Sequence, residues 1–122
     1  MRAFVTGATG FVGAALVREL VDDRIEVCAL ARPNADLRNL AGLPVAIATG
    51  DLLDEASLRT AMAGCAWVFH VAAHYGAAPA DADLMYRVNV DGTNNVLAAA
   101  RAAGAGRVVY CSTIGTIGRT TD

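Results

Sequence analysis

Apolar and polar positions alternate along the chain in a way that separates short strands from longer helices. Five short apolar runs predict β-strands, at Arg2–Thr6, Ile25–Leu30, Val45–Ala48, Trp67–Val71 and Arg107–Cys111. Four stretches between them predict helices, at Phe11–Val21, Asp36–Ala41, Glu55–Ala63 and Ala82–Ala103. In the first helix Val12, Leu16 and Leu20 recur every four residues, which predicts one apolar stripe.

Strands that alternate with helices indicate an α/β fold. Short, nearly continuous apolar strands are typical of a parallel sheet covered by helices on both faces. Right-handed crossovers then favour a doubly wound, Rossmann-type sheet of five strands in the order 3-2-1-4-5. Asp54 is the predicted N-cap of the third helix, and Gly104 follows the fourth helix as a C-cap. We expect residues 1–122 to form one domain.

Composition and charge narrow the function classes. The net charge is −2 without a basic run, which argues against nucleic acid or an anionic membrane as a partner. No targeting segment is evident, so we expect a cytoplasmic protein whose cysteines, Cys28, Cys65 and Cys111, are reduced thiols in structural roles beside strands. Their spacing offers no metal-ligand set, and no metal is expected. The chain contains no lysine.

The strongest motif is 6-TGATGFVG-13, between the first strand and the first helix. Gly7 allows a sharp turn off the strand, and Gly10 leaves room for a pyrophosphate at the helix N-terminus, where free N–H groups favour anions. Gly13 allows the helix to pack closely on the strand. The spacing is GxxGxxG and not GxGxxG, but its position predicts a dinucleotide site. The alternative is a tight turn that binds no ligand.

With these residues in place, the chain resembles the extended short-chain dehydrogenases/reductases, the NAD(P)-dependent epimerase/dehydratase superfamily. The resemblance extends through 50-GDLLD-54, 70-HVAA-73, 88-VNVDGTNNVL-97 and 108-VVYCST-113, and so covers the whole chain. Two segments, 30-LARPNADLRNL-40 and 66-AWVFHVAAHYG-76, look most like the dihydroflavonol-4-reductase-like branch, which includes hopanoid-associated sugar epimerases. This resemblance implies an oxidoreductase or epimerase that transfers hydride between nicotinamide and a carbon atom of its substrate. The carbon would be the carbonyl or carbinol carbon of a sugar-nucleotide or flavonol-like molecule.

The second strand ends without the acidic residue that an NAD-preferring site usually places there. Arg32 follows this strand and could pair with a 2′-phosphate, with help from Arg38, so we expect NADP to be preferred over NAD. The alternative is an ordinary solvated arginine. By resemblance, the other cofactor contacts are Gly7, Thr9, Gly10, Phe11, Val12, Gly13, Asp51, Leu52, Val71, Ala72 and Ala73. Asp51 would bind the adenine amino group, with Leu52 packed on the ring.

The resemblance also assigns residues to the substrate side. Thr113 matches the hydroxyl that binds the substrate's carbonyl, and Asn89 matches a helix-four asparagine that orders an active-site water; these are the two catalytic candidates, and helix packing is the alternative for Asn89. His74, Tyr75 and Ser112 are candidate substrate contacts, and a plain surface loop is the alternative for His74 and Tyr75. His70, inside the fourth strand, is interpreted as a core histidine.

The Tyr-x-x-x-Lys pair that performs acid/base chemistry in this superfamily is absent, because no tyrosine has lysine four residues later. We therefore expect the N-terminal, cofactor-binding portion of a longer enzyme, inactive by itself. The alternative is a redox-sensing regulator module that binds dinucleotide without catalysis. The partners expected are a small-molecule substrate and, by resemblance, a second copy that forms a homodimer through helix 82–103.

Overall fold

The computed structural model describes residues 1–118 of the chain. Five strands run through it: β1 (Arg2–Thr6), β2 (Glu26–Ala31), β3 (Ala46–Thr49), β4 (Trp67–His70) and β5 (Arg107–Tyr110). The α-helices are α1 (Phe11–Asp22), α2 (Glu55–Met62), α3 (Ala82–Tyr86) and α4 (Gly92–Ala102). The predicted strand positions are confirmed to within a residue or two at each end.

The strands form one parallel sheet in the order β3-β2-β1-β4-β5. Phe4 on the central strand is level with Cys28 of β2 on one side and with Val68 of β4 on the other. The predicted order is therefore confirmed, and the winding reverses between β1 and β4. In doubly wound sheets this reversal opens a crevice at the carboxyl ends of the strands.

Helices cover both faces of the sheet, as predicted. Odd-numbered residues of β1, such as Val5, pack with α1 in one apolar cluster, while Phe4 packs with α2 and α4 in a second cluster on the opposite face. This division follows from the two-residue side-chain period of a strand. Both clusters pack against the strands that lead into the loops at the carboxyl edge of the sheet, so the starting points of these loops are held by a packed core.

The predicted helix Asp36–Ala41 is wrong, since only a single 3₁₀ turn, Arg38–Leu40, forms there. The Asp36 carboxylate accepts a hydrogen bond from the Arg38 backbone N–H at 3.0 Å, and a local bond of this kind competes with helix formation. Asn34, two residues before the predicted helix, has a positive φ of 62°, so a helix could not extend back through it either. Leu40 is buried and anchors the turn to the α1 face of the sheet.

The apolar stripe predicted for α1 is partly wrong. Val12 is 57% exposed, whereas the buried positions of this helix are Gly13, Ala14, Val17 and Leu20. Val12 lies in the first turn of α1, next to the glycine loop, and does not contribute to the buried face of the helix.

The predicted helix Ala82–Ala103 forms as one helical run, but it is interrupted by a π-helical turn at Arg87–Asp91. The turn lies between α3 and α4 and contains Asn89. Such π turns occur frequently at functional sites because the extra residue redirects side chains. The predicted caps are confirmed: Asp54 accepts a hydrogen bond from the Ser57 N–H at 3.2 Å, and Gly104 follows α4 with a positive φ of 71°.

The three cysteines do not share one environment. Cys28 and Cys65 are buried, and burial raises the pKa of both thiols, which suits inert packing roles. Cys111 is exposed, contrary to the expectation of a packing role, because it follows β5 at the edge of the sheet, where every strand residue is exposed. Within residues 1–118 no cluster of three potential metal ligands occurs, and no helix has the length and apolar character needed to cross a membrane.

Candidate dinucleotide site

The loops that follow the five strands gather the sequence-predicted site residues at one edge of the sheet. Parallel strands place their carboxyl ends on the same side. The glycine loop 7–13 follows β1 and the segment 71–73 follows β4, so these two flank the reversal point directly. Arg32 follows β2, and the segment 50–54 follows β3.

The glycine loop is locked against β4. Gly7 has a φ of +71°, and a Cβ at this position would lie 2.7 Å from the Ala72 backbone nitrogen. A Cβ on Gly13 would overlap the carbonyl of Gly7 from the other side. The Gly7 peptide is therefore held between the first turn of α1 and the segment that follows β4, and only glycine fits at either position.

The first turn of α1 is open to an anion. Its N-cap is Gly10, no side chain caps the helix, and its first turn carries no acidic residue. A Cβ on Gly10 would meet only the Gly7 carbonyl oxygen, at 3.4 Å, so the space above Gly10 is free of protein. Unpaired N–H groups and the helix dipole favour a phosphate at such a terminus. Phe11 is 92% exposed beside it. These residues fit a dinucleotide's pyrophosphate.

The two arginines near the end of β2 differ in their surroundings. Arg38 binds Asp36 through Nε at 2.8 Å and through its terminal nitrogen at 2.6 Å. These hydrogen bonds hold the pKa of the Asp36 carboxyl below its usual value, so the charge of Arg38 is already balanced. Arg32 is exposed and takes part in none of the ion pairs of residues 1–118. Arg32 is therefore the better placed of the two to meet a ligand phosphate.

The sequence did not reveal a contact between the segment that follows β2 and the glycine loop. The Asn39 side chain donates a hydrogen bond to the Thr9 carbonyl at 2.8 Å, and Arg18 donates to the Asn39 carbonyl at 3.0 Å. The segment after β2 is thereby fixed relative to the start of α1. Asparagine and arginine in exposed segments carry no periodic signal, so sequence reasoning could not pair them.

The loop after β3 holds Asp51 beside the edge of the sheet. One carboxylate oxygen of Asp51 accepts a hydrogen bond from the Leu53 N–H at 2.9 Å, which leaves the second oxygen without a partner among the described residues. Leu52 is 9% exposed and packs against Gly92 of α4, where a Cβ would lie 3.1 Å from the Leu52 Cβ. The predicted stacking of Leu52 on adenine stays a prediction.

A buried hydrogen-bonded chain runs behind the segment 71–73. Thr6 Oγ1 lies 2.7 Å from His70 Nδ1 and accepts hydrogen bonds from the backbone N–H groups of Val71 and Ala72, at 3.2 and 3.1 Å. His70 Nε2 lies 2.9 Å from Thr93 Oγ1, and this hydroxyl lies 2.7 Å from the Asn89 carbonyl, to which it donates. His70 is 1% exposed, so its interpretation as a core histidine is confirmed.

Proton counting fixes the state of His70. The two backbone donors occupy the lone pairs of Thr6 Oγ1, so its own proton points to Nδ1, which must be an acceptor. The Thr93 hydroxyl gives its proton to a carbonyl, so Nε2 must carry the imidazole hydrogen. Burial lowers the pKa of His70 to about 4, in agreement with a neutral ring.

The π turn clamps the residue that follows segment 71–73. Asn89 accepts a hydrogen bond from the His74 N–H and donates one to the His74 carbonyl, both at 2.8 Å. Asn89 therefore positions the backbone of a predicted substrate contact. Its role in ordering a catalytic water stays a prediction. His74 Nε2 is buried and has no hydrogen-bond partner among the described residues.

The predicted hydroxyl after β5 lies in an exposed segment. Thr113 caps the 3₁₀ turn Ile114–Ile117, with its Oγ1 accepting a hydrogen bond from the Gly115 N–H at 3.3 Å. Ser112 is exposed beside it, and Tyr75 is 86% exposed on the loop after β4. In the described part of the chain no hydrogen bond joins Thr113 to Asn89 or His74. Their catalytic and substrate roles stay predictions.

Comparison with known proteins agrees with this geometry. The model of the NAD dependent epimerase/dehydratase family matches residues 3–122. A protein from Synechocystis sp., named provisionally as a dihydroflavonol 4-reductase, is 49% identical over 115 residues, covering 94% of this chain and 33% of the relative. The chain spans about a third of the length of the curated relatives it matches.

Solved structures with bound NAD are among those that this chain resembles. A short-chain dehydrogenase/reductase superfamily protein from Agrobacterium tumefaciens is 38% identical, with a TM-score of 0.79 over 93% of this chain and 33% of its own. The UDP-glucose 4-epimerase of Thermus thermophilus is 30% identical, with a TM-score of 0.81 over 93% of this chain and 38% of its own. The fold, the glycine loop and the family match together establish that the chain belongs to the NAD dependent epimerase/dehydratase family.

Proposed function

We propose that this chain binds a nicotinamide dinucleotide across the carboxyl edge of its sheet, with NADP(H) preferred over NAD(H). The observation that carries the proposal is the glycine loop at the reversal point, packed on the Ala72 backbone below an uncapped α1 N-terminus. The preference for NADP(H) is supported by the exposed Arg32, which forms no ion pair within residues 1–118, and by the lack of an acidic residue at the end of β2.

Each loop then has one task in binding. The first turn of α1 receives the pyrophosphate, Arg32 receives the 2′-phosphate and stacks on adenine, and the free oxygen of Asp51 accepts from the adenine amino group. The small residues Val71, Ala72 and Ala73 let the backbone approach the ribose and phosphates. The bound nicotinamide supplies the hydride chemistry, while His74 and Tyr75 contact the substrate from the loop after β4.

The reaction we propose for the protein that contains this chain is hydride transfer between nicotinamide and a carbonyl or carbinol carbon. The names of the relatives, a reductase and an epimerase, support this class. The substrate would be flavonol-like or a sugar nucleotide. Thr113 would donate a hydrogen bond to its oxygen, with Ser112 beside it as a further substrate contact. We propose that this reaction takes place in the cytoplasm.

Side-by-side titration with NADPH and NADH tests the cofactor. We expect NADPH to bind more tightly. We expect Arg32→Ala to weaken NADPH about tenfold more than it weakens NADH, because both cofactors lose the stacking on adenine but only NADPH loses a charge-assisted hydrogen bond of about 1.5 kcal/mol or more. Arg38→Ala is the matched control, since Arg38 already binds Asp36. It should change the ratio of NADPH affinity to NADH affinity by less than Arg32→Ala does. Equal affinities in wild type and Arg32→Ala would contradict the assignment.

We expect the 122-residue chain to bind dinucleotide without turnover. The sequence contains no lysine, so the Tyr-x-x-x-Lys pair that lowers the barrier to proton transfer in the superfamily is missing. The measurement is NADPH absorbance with a panel of carbonyl substrates, at protein concentrations that saturate the cofactor. Consumption of NADPH that depends on Thr113 would refute the expectation. Binding without turnover is also what a redox-sensing module would show.

The homodimer through residues 82–103 stays a prediction. This run leaves several apolar side chains exposed, among them Tyr86, Val90 and Leu97. Arg59 and Arg101 flank Leu97 in an open groove between α2 and α4. Light scattering of the purified chain distinguishes a dimer from a monomer.

A further inference from the structure

We propose that His70 is a positioning residue that couples the cofactor side of the site to the substrate side. The inference deepens the proposed dinucleotide function and rests on that function only for its affinity readout. Neither the core role expected for a buried histidine nor the resemblance to the family assigns such a coupling. The observation that supports the coupling is a series of hydrogen bonds that runs from Thr6 through His70 and Thr93 to the Asn89 carbonyl. The side chain of the same Asn89 is hydrogen-bonded to the His74 backbone.

On the cofactor side, the series sets the backbone that supports the glycine loop. Thr6 Oγ1 accepts hydrogen bonds from the N–H groups of both Val71 and Ala72. It can accept both only while its own proton is donated to His70. The Ala72 nitrogen is the atom that a Cβ on Gly7 would approach to 2.7 Å. A change in the His70–Thr6 hydrogen bond therefore moves the Ala72 backbone, against which Gly7 packs.

On the substrate side, the same ring holds the π turn. His70 Nε2 donates a hydrogen bond to Thr93, whose hydroxyl donates one to the Asn89 carbonyl. The Asn89 side chain is hydrogen-bonded to both the N–H and the carbonyl of His74. Thr93 lies one helical turn after Asn89, so its hydroxyl stabilises the turn in which Asn89 points toward the loop. Tyr110 stacks on His70, with ring centroids 5.3 Å apart and planes inclined by 15°, which restricts rotation of the imidazole.

The donors and acceptors of this series allow only one protonation state of the His70 ring. Both ends of the series are backbone groups that cannot reverse their polarity, amide donors at one end and a carbonyl acceptor at the other. Only the neutral ring with hydrogen on Nε2 satisfies every member. A ring with hydrogen on Nδ1 would force Thr6 to release one of the two amides.

The first test is the nitrogen NMR spectrum of His70 in the ligand-free chain at pH 7. We expect a protonated, pyrrole-like Nε2 and an unprotonated, pyridine-like Nδ1, with the signals assigned by their loss in His70→Gln. A ring with hydrogen on Nδ1 would overturn the proposal. This measurement does not require cofactor binding, and His74→Gln gives the same assignment by leaving only the His70 signals.

The second test cuts the series at Thr93. Thr93→Val removes two hydrogen bonds, to His70 and to the Asn89 carbonyl. It should shift the His74 amide resonance and weaken NADPH about three- to tenfold, because part of this loss reaches the cofactor side, and Thr93→Ser should restore both. Thr60→Val is the matched control, because Thr60 makes the same bond to a carbonyl four residues earlier, at 3.1 Å, on the exposed face of α2. It should change neither readout.

The outcomes separate the two proposals. A folded Thr93→Val chain with an unmoved His74 amide, or with NADPH affinity equal to that of wild type, overturns the coupling. If wild type binds neither NADPH nor NADH, the proposed function fails. The ring state and the His74 amide then decide the coupling alone.

Discussion

Gly13→Ala is expected to lower the free energy of unfolding by about 3 kcal/mol or more, at the upper end of the range for overpacking. The added Cβ would overlap the Gly7 carbonyl. The Gly7 peptide cannot retreat, because Ala72 closes the opposite side at 2.7 Å from a Gly7 Cβ. The gain in helix propensity from alanine, about 1 kcal/mol, offsets only part of this cost.

Urea unfolding followed by circular dichroism measures the Gly13 effect. Gly10→Ala is the matched control, since its Cβ would meet only one atom at 3.4 Å and the residue already has a φ of −82°. We expect Gly10→Ala to lose at most about 1 kcal/mol, the cost of alanine at an N-cap, while Gly13→Ala unfolds at a clearly lower urea concentration. Equal stability of the two variants would show that the glycine loop is not confined between α1 and β4.

Acidification is expected to destabilise the fold through His70. Its pKa is about 4 in the folded chain because the ring is buried, against an ordinary value of 6.5 in the unfolded chain. Between these values the unfolded state binds a proton that the folded state does not, so stability is full above pH 6.5 and falls as the pH is lowered toward 4. The loss amounts to about 2 kcal/mol between pH 7 and pH 5.

The measurement is the free energy of unfolding at pH steps from 7 to 5, a window that lies above the usual titration of exposed carboxylates. His70→Gln, which retains an N–H donor for Thr93 and cannot titrate, should remove most of the slope. The groups that touch the ring are the hydroxyls of Thr6 and Thr93 and the aromatic ring of Tyr110, and none of them is a carboxyl or a second imidazole. A slope that persists in His70→Gln would assign the effect to another group.

The fold could be predicted from the sequence because its signals are local and repeated. Five apolar runs, four helical stretches and a glycine loop at the first turn determine a parallel sheet with one order of strands. The failure at Asp36–Ala41 has a local cause as well, since the Asp36 side chain competes for the backbone that a helix would use. Cys111 is exposed because of its place after the edge strand, which no local pattern reveals.

The candidate site was only half predictable. Glycines, Arg32 and Asp51 follow strands, so their positions at the edge followed from topology. The series through Thr6, His70 and Thr93 was missed, because it joins residues 64 and 23 positions apart in the chain. One signal could have revealed its first link: Thr6 and His70 are each the last residue of a strand, and those strands are neighbours in register.

Calorimetric titration of the wild-type chain and of Gly10→Ala with NADPH tests dinucleotide binding at the glycine loop most directly. We expect saturable binding of one NADPH per chain to wild type, and clearly weaker binding to Gly10→Ala, because its added methyl group occupies the approach of the pyrophosphate to α1 while the fold stays intact. The contrary result is a folded wild-type chain that does not saturate with NADPH or NADH, or a Gly10→Ala chain that binds as tightly as wild type.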